Sequence, residues 1–497
     1  MSFGEDLDKL VEEHSDGLVG KHPSWERVRL SAVAELVNGF AFKSSGFNEV
    51  EGTPLVRIRD ILKGAPGTRY SAPVDDPKMK FIENGEIAIG MDGDFNSRIW
   101  QGGKALINQR VCTLKADEEL YSQKLLAFAL PAYLKLINDH TSSVTVKHLS
   151  SKTVQSIPLP LPPKAEQQRI VEKIETLFAR LDKGEEAVRE VQKLLTRYRQ
   201  SVLKSAVTGH LTADWRAEHE GELEDGDELL SRLLVERRDN WTGRGKHKEA
   251  PVANIENLPE LPKEWVWATL AQITNLKGGV TVDRKREPKD PVTLPYLRVA
   301  NVQNGYLDLD EIKEITIDRE KAEQCLLQDG DILLNEGGDL DKLGRGWVWR
   351  SQIDPCIHQN HVFRGRPILP DISSEFVSYY ANAFGQGFFM DKGKQSVNLA
   401  SISLTAISGL PIPLPPASEQ VEIVKRISAK LRDVDGVRKW CQTELKRSAS
   451  LRQSILKDAF AGRLVPQDPS DEPASALLAR IKAAKDAPKT PRRKARA

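Results

Sequence analysis

The stretch Pro158–Ile174, which reads PLPLPPKAEQQRIVEKI, returns 253 residues later as Pro411–Ile427, PIPLPPASEQVEIVKRI. The two copies extend without a gap over residues 158–211 and 411–464, with 20 identities in 54 aligned positions. A unit of this length that is used only twice is not a solenoid repeat. The sequence therefore predicts a chain in which one structural plan occurs twice.

Each copy predicts a long helix. The proline-rich PLPLPP is expected to continue neither a strand nor a helix and so marks the start, and Gly209 and Gly462 supply the C-terminal stops. Between them, apolar residues recur at alternating steps of four and three, which is the heptad pattern of a coiled coil. The seam residues expected to pair the helices or to contact partner subunits are Ile170, Ile174, Leu177, Leu181, Val188, Leu195, Tyr198, Ile423, Ile427, Val434, Val437, Leu451 and Ile455.

Such helices would be roughly 60 Å long, at about 1.5 Å per residue. Neither helix is expected to be stable alone, so we expect the two to pair with each other. Antiparallel pairing is favoured because each helix follows a bulky globular segment. An antiparallel pair of related helices would create a local two-fold axis.

The segments before the two helices are also duplicated, though loosely. PLVRIRDI from Pro54 resembles PYLRVANV from Pro295, and INQRV from Ile107 resembles IHQNHV from Ile357. Short apolar runs bounded by Gly, Pro, Asn and Asp predict strands and turns, so each segment is expected to form a mixed domain. The frame repeats whereas the loops differ, and binding specificity commonly lies on variable loops held by a constant frame.

The predicted fold class is mixed α/β (α+β), with two globular domains separated by two long helices that pair as an antiparallel coiled coil. The two halves are related by an internal pseudo-two-fold repeat. We divide the chain into an N-terminal segment (1–22), a first globular domain (23–157), a first long helix (158–211), a linker (212–261), a second globular domain (262–410), a second long helix (411–464) and a C-terminal tail (465–497) with a basic end, APKTPRRKARA.

Composition and charge restrict the class of protein. The chain has 497 residues and is 39% hydrophobic, enough for more than one core. We expect neither a signal peptide nor a membrane span, because no long apolar window occurs, and we place the protein in the cytoplasm. Lys plus Arg number 72 and Asp plus Glu 71, so any basic surface must be local. The four cysteines lack Cys-x-x-Cys spacing, which predicts buried reduced thiols and no metal site.

Motifs typical of methyltransferases and ATP-binding enzymes are missing from the sequence. An adenine methyltransferase needs an [Asp/Asn/Ser]-Pro-Pro-aromatic loop, but the Pro-Pro pairs here read Leu-Pro-Pro-Lys and Leu-Pro-Pro-Ala. No convincing S-adenosylmethionine loop is found, and no G-x-x-x-x-G-K-[ST] loop for ATP occurs. We therefore expect the chain not to be an enzyme.

Two variable segments, each ending in P-x-P-L-P-P-x-x-E-Q and each followed by a long helix, resemble the specificity subunit of type I restriction-modification systems. The resemblance spans nearly the whole chain. It implies that the globular segments are target recognition domains, each reading half of a bipartite double-stranded DNA sequence. It also implies that the helices set the spacing and dock two methyltransferase subunits, which restriction subunits join. S-adenosylmethionine and ATP with Mg²⁺ would then be cofactors of those partners, with none bound by this chain.

Base reading favours Arg or Lys on guanine and Asn or Gln on adenine, because these side chains match major-groove edges bidentately. The DNA-binding candidates are Lys43, Arg57, Arg59, Arg98, Gln109 and Arg110 in the first domain, and Lys277, Arg298, Asn301, Gln303, Arg345, Gln359 and Asn360 in the second. Arg57 and Arg298 stand at matching positions beside apolar strand residues, so a structural salt bridge is the alternative there. We interpret His358 and His361 as a surface or DNA-facing pair, since the glutamate of a zinc helix is missing.

The charge balance of the two domains indicates that partner subunits contribute to DNA affinity. Residues 23–157 contain 17 basic and 15 acidic residues, and residues 262–410 contain 17 and 20. Phosphate neutralisation alone would give modest affinity. We expect the lone chain to bind DNA weakly. The alternative function is a helical scaffold that joins partner subunits without reading DNA.

Overall fold

The structure is a computed structural model that describes residues 6–142, 146–241, 247–256, 258–281, 287–338, 343–395 and 400–486. The chain divides into two compact units. Unit 1 comprises Met1–Arg189 and Gln442–Ala497, and unit 2 comprises Glu190–Cys441. Each division falls inside one of two 44-residue helices, so each unit contains part of both long helices.

The helices are numbered along the chain. In the first part of the chain they are α1 Leu7–Glu13, α2 Ile58–Ile61, α3 Gln123–Asp139, α4 Ser151–Gln155 and α5 Lys164–Val207, with two 3₁₀ turns at Leu30–Ala32 and Ser44–Gly46. The later helices are α6 Ala213–Glu218, α7 Gly226–Asp239, α8 Leu270–Ile273, α9 Arg319–Gln324, α10 Ser374–Lys392, α11 Leu404–Ser408, α12 Ala417–Phe460 and α13 Ala474–Asp486. The predicted long helices are thus α5 and α12.

The strands are short and fall into two series. The strands of unit 1 are β1 Glu26–Arg29, β2 Ala34–Asn38, β3 Phe47–Asn48, β4 Thr53–Val56, β5 Thr68–Tyr70, β6 Phe81–Ile82, β7 Ile87–Gly90, β8 Ser97–Ile99, β9 Ala105–Ile107, β10 Val111–Ala116 and β11 Pro158–Leu161. Those of unit 2 are β12 Val266–Thr269, β13 Thr274–Lys277, β14 Pro291–Leu297, β15 Val302–Gln303, β16 Tyr306–Leu307, β17 Lys313–Asp318, β18 Ile332–Asn335, β19 Gly337–Gly338, β20 Gly346–Val348, β21 Ile357–His358, β22 Val362–Pro367, β23 Lys394–Gln395, β24 Ala400–Ser401 and β25 Pro411–Leu414.

Unit 1 contains two main sheets. One has the order β2-β10-β7-β8 and is antiparallel, and the other has the order β3-β5-β4-β9-β6, in which β4 and β9 are parallel. Helix α3 packs on the first sheet through Leu126, Leu130 and Ile137, which recur at helical spacing and are fully buried. Unit 1 therefore combines helix and sheet, as the mixed pattern predicts.

Unit 2 repeats this plan. Its four-stranded sheet has the order β13-β22-β18-β20, and β17-β14-β21 again contains a parallel neighbour pair, β14 and β21. Helix α10 takes the place of α3, and two smaller sheets, β15-β16 and β19-β24-β23, have no matching sheet among the described strands of unit 1. The four cysteines of the chain are buried and unpaired. The expected fold class is confirmed.

The proline stretches form strands, which the sequence reading did not predict. Pro158–Leu161 pairs with β1, and Pro411–Leu414 pairs with β12, each in a two-stranded sheet in which the proline strand is buried. Proline lacks an N–H and is excluded from central strands, but a strand with one neighbour needs donors on one side only. Alternating prolines therefore fit here, and the expectation that these residues could not continue a strand is wrong.

The long helices are antiparallel within each unit. In unit 1, Ser448 donates a hydrogen bond to Glu185 (2.7 Å), and Arg452 reaches Asp182 (2.6 Å), so numbers rise along α5 as they fall along α12. In unit 2, the apolar contact joins the last turns of α5 to the first turns of α12, with Leu203 and Ile427 in one core. A polar layer lies inside the helix pair in unit 1, and such layers fix register.

Three predicted seam residues lie outside the contact face of the helices. Tyr198, Val437 and Leu451 are 47%, 41% and 46% exposed. Leu431 and Cys441 lie in the buried face instead. The prediction placed apolar residues in the contact face. At these three sites the half-buried residue is instead the arginine one position later: Arg199, Arg438 and Arg452. The remaining predicted seam residues are buried or half-buried: Ile170, Ile174, Leu177, Leu181, Val188, Leu195, Ile423, Ile427, Val434 and Ile455.

The segments after the two long helices both pack on a globular domain. After α5, the predicted linker forms α7, which buries Leu229 and Leu233 in the core of unit 2. After α12, the chain forms α13, which buries Leu477 and Ile481 in the core of unit 1. The basic end, residues 487–497, lies outside the described residues. The seven-segment division stays a prediction.

Candidate nucleic-acid interface

A buried tryptophan and glutamate join each globular domain to its long helix. In unit 1 the Trp25 indole Nε1 donates to Glu166 Oε2 at 2.9 Å, and in unit 2 Trp265 donates to Glu419 Oε2 at 2.8 Å. All four side chains are buried. Burial raises the pKa of Glu166 above its ordinary value. The repeated glutamate of the proline–helix motif therefore anchors the domain.

The neighbouring glutamine anchors a second element. Gln167 accepts a hydrogen bond from the Ser122 N–H (2.8 Å), and Gln420 accepts one from the Ser373 N–H (2.8 Å). Ser122 and Ser373 are the N-caps of α3 and α10. Each Glu-Gln pair thus fixes the first strand of its domain and the start of its packing helix. The positions of the domain loops relative to the long helix follow from these bonds.

The parallel strand pair of unit 1 brings several predicted DNA-binding residues to one edge. Strands β4 and β9 align Leu55 with Leu106 and Val56 with Ile107. The residues that follow them, Arg57–Asp60 and Asn108–Arg110, therefore leave the sheet side by side. A bridge between Phe40 and Asn108 adds the loop that carries Lys43. We call residues 57–60 and 108–110 the strand-end surface of unit 1.

Unit 2 has an equivalent surface with different side chains. Strands β14 and β21 pair Tyr296 with Ile357 and Leu297 with His358. Residues 298–301 and 359–361 follow these strands and form the strand-end surface of unit 2. The bridge between Val280 and Gln359 repeats the Phe40–Asn108 bridge and lies three residues after Lys277. The structure thus brings most of the predicted residues together in two related places.

Three arginines of unit 1 are held by contacts within the domain. Arg57 lies over the Phe47 ring at 5.3 Å, and Arg59 donates to the Thr68 hydroxyl at 3.0 Å. Arg98 donates to the Leu62 carbonyl. Gln109, by contrast, is exposed and bonds no described residue through its side chain. The exposed Lys43 likewise has no ion pair with a described residue.

Asn301 is a correction to the predicted set. It is 3% exposed, its Oδ1 accepts from the Arg298 N–H (2.9 Å), and its Nδ2 donates to the carbonyls of Asp308 and Glu311. Asp60 holds the same position in unit 1, where it accepts from the Arg57 N–H at 2.9 Å. Asn301 therefore shapes the turn and is withdrawn as a base reader.

The other candidates of unit 2 differ in availability. Arg298 lies 3.4 Å from the Glu311 carboxylate, so it forms the structural salt bridge that was the alternative to DNA binding. Gln303 donates to the Ala300 carbonyl at 2.6 Å. Arg345 Nε is buried without a hydrogen-bond partner among the described residues. Lys277, Gln359 and Asn360 are half-buried.

Sequence reasoning missed a matched pair of acid–base contacts beside these surfaces. Asp92 binds Arg110 (3.2 Å) and His148 (2.7 Å) in unit 1, and Glu336 binds His361 (2.6 Å) in unit 2. Arg110 and His361 follow the same alignment, INQRV against IHQNHV. That alignment was the available signal. The carboxylates orient exposed cationic or imidazole side chains at equivalent places.

His358 does not form a surface pair with His361. His358 is fully buried, and its Nδ1 lies 2.6 Å from the Val362 carbonyl, which requires a proton on that nitrogen. Burial lowers its pKa to about 4, so it is neutral at pH 7. Only His361 is exposed, because the first histidine points into the domain core.

Metal-binding clusters and membrane-spanning helices are both absent from the described residues. No group of three or more His, Cys, Asp and Glu side chains there could hold a metal ion. No helix in that part of the chain is long and apolar enough to cross a membrane. The strand-end surfaces can therefore donate and accept hydrogen bonds, and they present no metal site within the described ranges.

Comparison with known proteins gives a consistent result. A family model described as the type I restriction modification DNA specificity domain matches residues 23–190 and 262–435. The type I restriction enzyme EcoBI specificity subunit of Escherichia coli is 34% identical over 496 residues, covering 97% of this chain and 97% of the relative. The EcoKI specificity subunit of Escherichia coli strain K12 is 25% identical over 489 residues, covering 93% and 96%.

One solved structure supports the fold. It is described as the structural basis underlying complex assembly and conformational transition of the type I R-M system, and it aligns with a TM-score of 0.59. Sequence identity is 18%, and the alignment covers 89% of this chain and 99% of the other. This likeness concerns the fold alone.

Proposed function

The chain belongs to the type I restriction-modification DNA specificity family, and from that membership we propose that its two units read the two halves of one asymmetric DNA target. The protein is a non-catalytic specificity subunit. Its partners would be double-stranded DNA and the methyltransferase and restriction subunits of one complex.

The observation that carries this proposal is the pair of strand-end surfaces. Their frames are the same, because β4 and β9 correspond to β14 and β21. Their side chains differ, since Asn108, Gln109 and Arg110 in unit 1 correspond to Gln359, Asn360 and His361 in unit 2. Hydrogen-bond donors of different type on the same frame would read different bases. Two unlike half-sites separated by an unread spacer are the expected target.

The long helices are the proposed docking elements. They occur twice and are antiparallel, so two copies of one partner could bind them in equivalent ways. We propose two DNA adenine methyltransferase subunits there, with restriction subunits joining through them. Neither recognition domain is basic overall, so the methyltransferase subunits would supply much of the DNA affinity.

Cofactors and location follow from the same proposal. S-adenosylmethionine would be bound by the methyltransferase subunits, and ATP with Mg²⁺ by the restriction subunits. Cytoplasm is the proposed location, because a DNA-reading subunit must reach the chromosome. The scaffold alternative, in which the chain joins partners without reading DNA, receives no support from the family match.

Methylation mapping of the genome that carries this gene tests the proposal. Single-molecule sequencing with and without the gene should reveal one bipartite adenine-methylation motif, of fixed spacer, that disappears with the gene. An unchanged methylation pattern in cells that produce the methyltransferase subunit would contradict DNA reading and favour the scaffold alternative.

A further inference from the structure

Unit 2 contains a cleft between the long helix α5 and the globular domain. Its volume is about 470 Å³. Helix α5 contributes Arg199 and Lys204, the turn before β16 contributes Asn304, and α10 contributes Tyr379 and Phe384. One wall is therefore cationic, and the facing wall is aromatic. The cleft lies apart from the strand pair β14 and β21 and is not lined by their residues.

The charge of this cleft is unbalanced. Its lining includes two cations and several neutral polar groups, but no Asp or Glu. Within the described ranges, the side chains of Arg199 and Lys204 form no ion pair and no hydrogen bond. No carboxylate occurs in the sequence between Glu190 and Asp214. An anionic group entering the cleft would thus meet two unneutralised donors.

The repeat explains why Arg199 is unpaired. Arg452 stands 253 residues after Arg199, and in unit 1 it binds Asp182 (2.6 Å) and Glu185 (3.1 Å). Its guanidinium also lies 5.0 Å from the centre of the Phe178 ring. The corresponding arginine of unit 1 is therefore fully engaged within the helix pair.

In unit 2 the partners of that arginine have changed. The positions 253 residues after Asp182 and Glu185 are Asp435 and Arg438, which lie 3.9 Å from each other. An arginine has thus replaced one of the two carboxylates that hold the equivalent arginine in unit 1. The guanidinium of Arg199 lies instead beside Gly305, where an added Cβ would be 3.8 Å from Nη2. The repeat has kept the cation, but one of its two carboxylate positions is now Arg438, and the retained carboxylate, Asp435, pairs with that arginine.

We propose that this cleft binds an acidic segment of the methyltransferase subunit that docks on unit 2, an inference that rests on the proposed function. A carboxylate side chain would meet the Arg199 guanidinium in bidentate geometry. An adjacent apolar side chain would cover Phe384, which is 36% exposed and stacks on Tyr380. Arginine and aromatic residues together are typical of protein–protein contacts.

DNA is the less favoured occupant for a physical reason. Phosphates lie on the convex surface of a duplex and meet protruding cations, whereas Arg199 and Lys204 line a recess with aromatic and amide walls. The site has no equivalent in unit 1, because Arg452 is neutralised there. The two methyltransferase contacts would therefore differ, with an added charged contact at unit 2.

The test uses the full chain with Arg199→Gln and Lys204→Gln, co-produced with its methyltransferase subunit. The charge-matched control is Lys183→Gln with Arg197→Gln, two exposed positions of the same helix that do not line the cleft. The measurements are the dissociation constant and, by native mass spectrometry, the number of methyltransferase subunits per chain. We expect roughly tenfold weaker binding of one methyltransferase subunit, with the difference shrinking as salt rises. Lys204→Gln alone should also weaken the binding of one methyltransferase subunit, by a smaller factor. Its thermal unfolding should match that of the wild type, which would exclude misfolding as the cause.

Several results would overturn the inference. Equal affinity for the cleft variant and its control would do so. Unchanged methyltransferase binding with a smaller salt dependence of DNA binding would overturn it and assign the cleft to phosphates. A wild-type chain that recruits no methyltransferase subunit would overturn the proposed function as well, which separates the two failures.

Discussion

At the scale of single residues, the Glu-Gln pairs at 166–167 and 419–420 are visible in the sequence, but their role is not. Their partners Trp25 and Ser122 lie 141 and 45 residues away from Glu166 and Gln167. No local periodicity connects such distant positions. Asn301 fails as a predicted reader for a related reason, because its amide is used by backbone groups that only the folded turn brings near.

His358 should make the stability of unit 2 depend on pH. Its pKa falls from 6.5 to about 4 on burial, so protonation favours the unfolded state. The stabilisation is complete above pH 6.5 and is lost as pH falls toward 4. Between pH 7 and pH 5 the free energy of unfolding should fall by about 2 kcal/mol, because each unit of pKa shift corresponds to about 1.4 kcal/mol. This fall can be measured by urea unfolding at each pH, with hydrogen exchange in β21 and β22 as the probe of unit 2.

The repeat supplies the control for this histidine. Ile107 takes the place of His358 in unit 1, so unit 1 has no titrating side chain there, and His358→Asn should remove the added pH dependence and leave unit 1 unchanged. Exchange in β9 and β10 serves as the internal reference. An identical pH dependence in wild type and His358→Asn would show that carboxylates, rather than this histidine, govern acid sensitivity.

Arg110 should affect which base is read rather than overall affinity. It is exposed and oriented by Asp92, which suits bidentate contact with one guanine. Arg110→Ala in the assembled complex should cost about 1–3 kcal/mol of discrimination at one base pair of the unit 1 half-site. Competition binding with targets changed one base pair at a time measures this loss.

The matched control for Arg110 is Lys135→Ala, an exposed cation of α3 that pairs with Asp139. It should change no base preference. If Arg110→Ala weakens binding equally for every target and lowers the salt dependence, then Arg110 contacts a phosphate and does not read a base.

At the scale of elements, the ends and the centres of the long helices have different roles. The first turns of α12 and last turns of α5 belong to the core of unit 2, which contains Ile427, whereas Val434 is buried outside that core. Helix length and antiparallel pairing were predictable from the doubled motif and heptad spacing. The register was not, because polar residues such as Glu185 and Arg452 occupy the contact face.

This difference predicts two outcomes for the same kind of substitution. Ile427→Asp places a charge in the core and should unfold the recognition domain of unit 2, at a cost of several kcal/mol. Val434→Asp should loosen the helix pair and release methyltransferase, while the sheets of unit 2 keep their hydrogen-exchange protection. Loss of protection in β18 and β22 in the Val434 variant would contradict a separable helix pair.

At the scale of the whole molecule, the duplicated plan was the most predictable feature, and the identity of the target bases the least. Strand β11 was not predicted because a strand tolerates alternating prolines only when it pairs on one side. That pairing, with β1, is a long-range contact that a local sequence pattern does not reveal. The strand-end surfaces follow from parallel pairing of β4 with β9, a contact between residues about fifty positions apart. Long-range pairing, rather than composition, places the candidate readers.

Exchange of residues 23–157 for the same segment of a relative should change one half-site only. The segment contains β1, Trp25 and Ser122, while their partners β11, Glu166 and Gln167 remain in the recipient chain. An incoming segment with a tryptophan and a serine at these positions can therefore reform the anchor. Methylation mapping should then show a new first half-site with the second half-site and the spacer unchanged. A spacer of new length, or a change in both halves, would mean that the segment also sets the geometry of the complex.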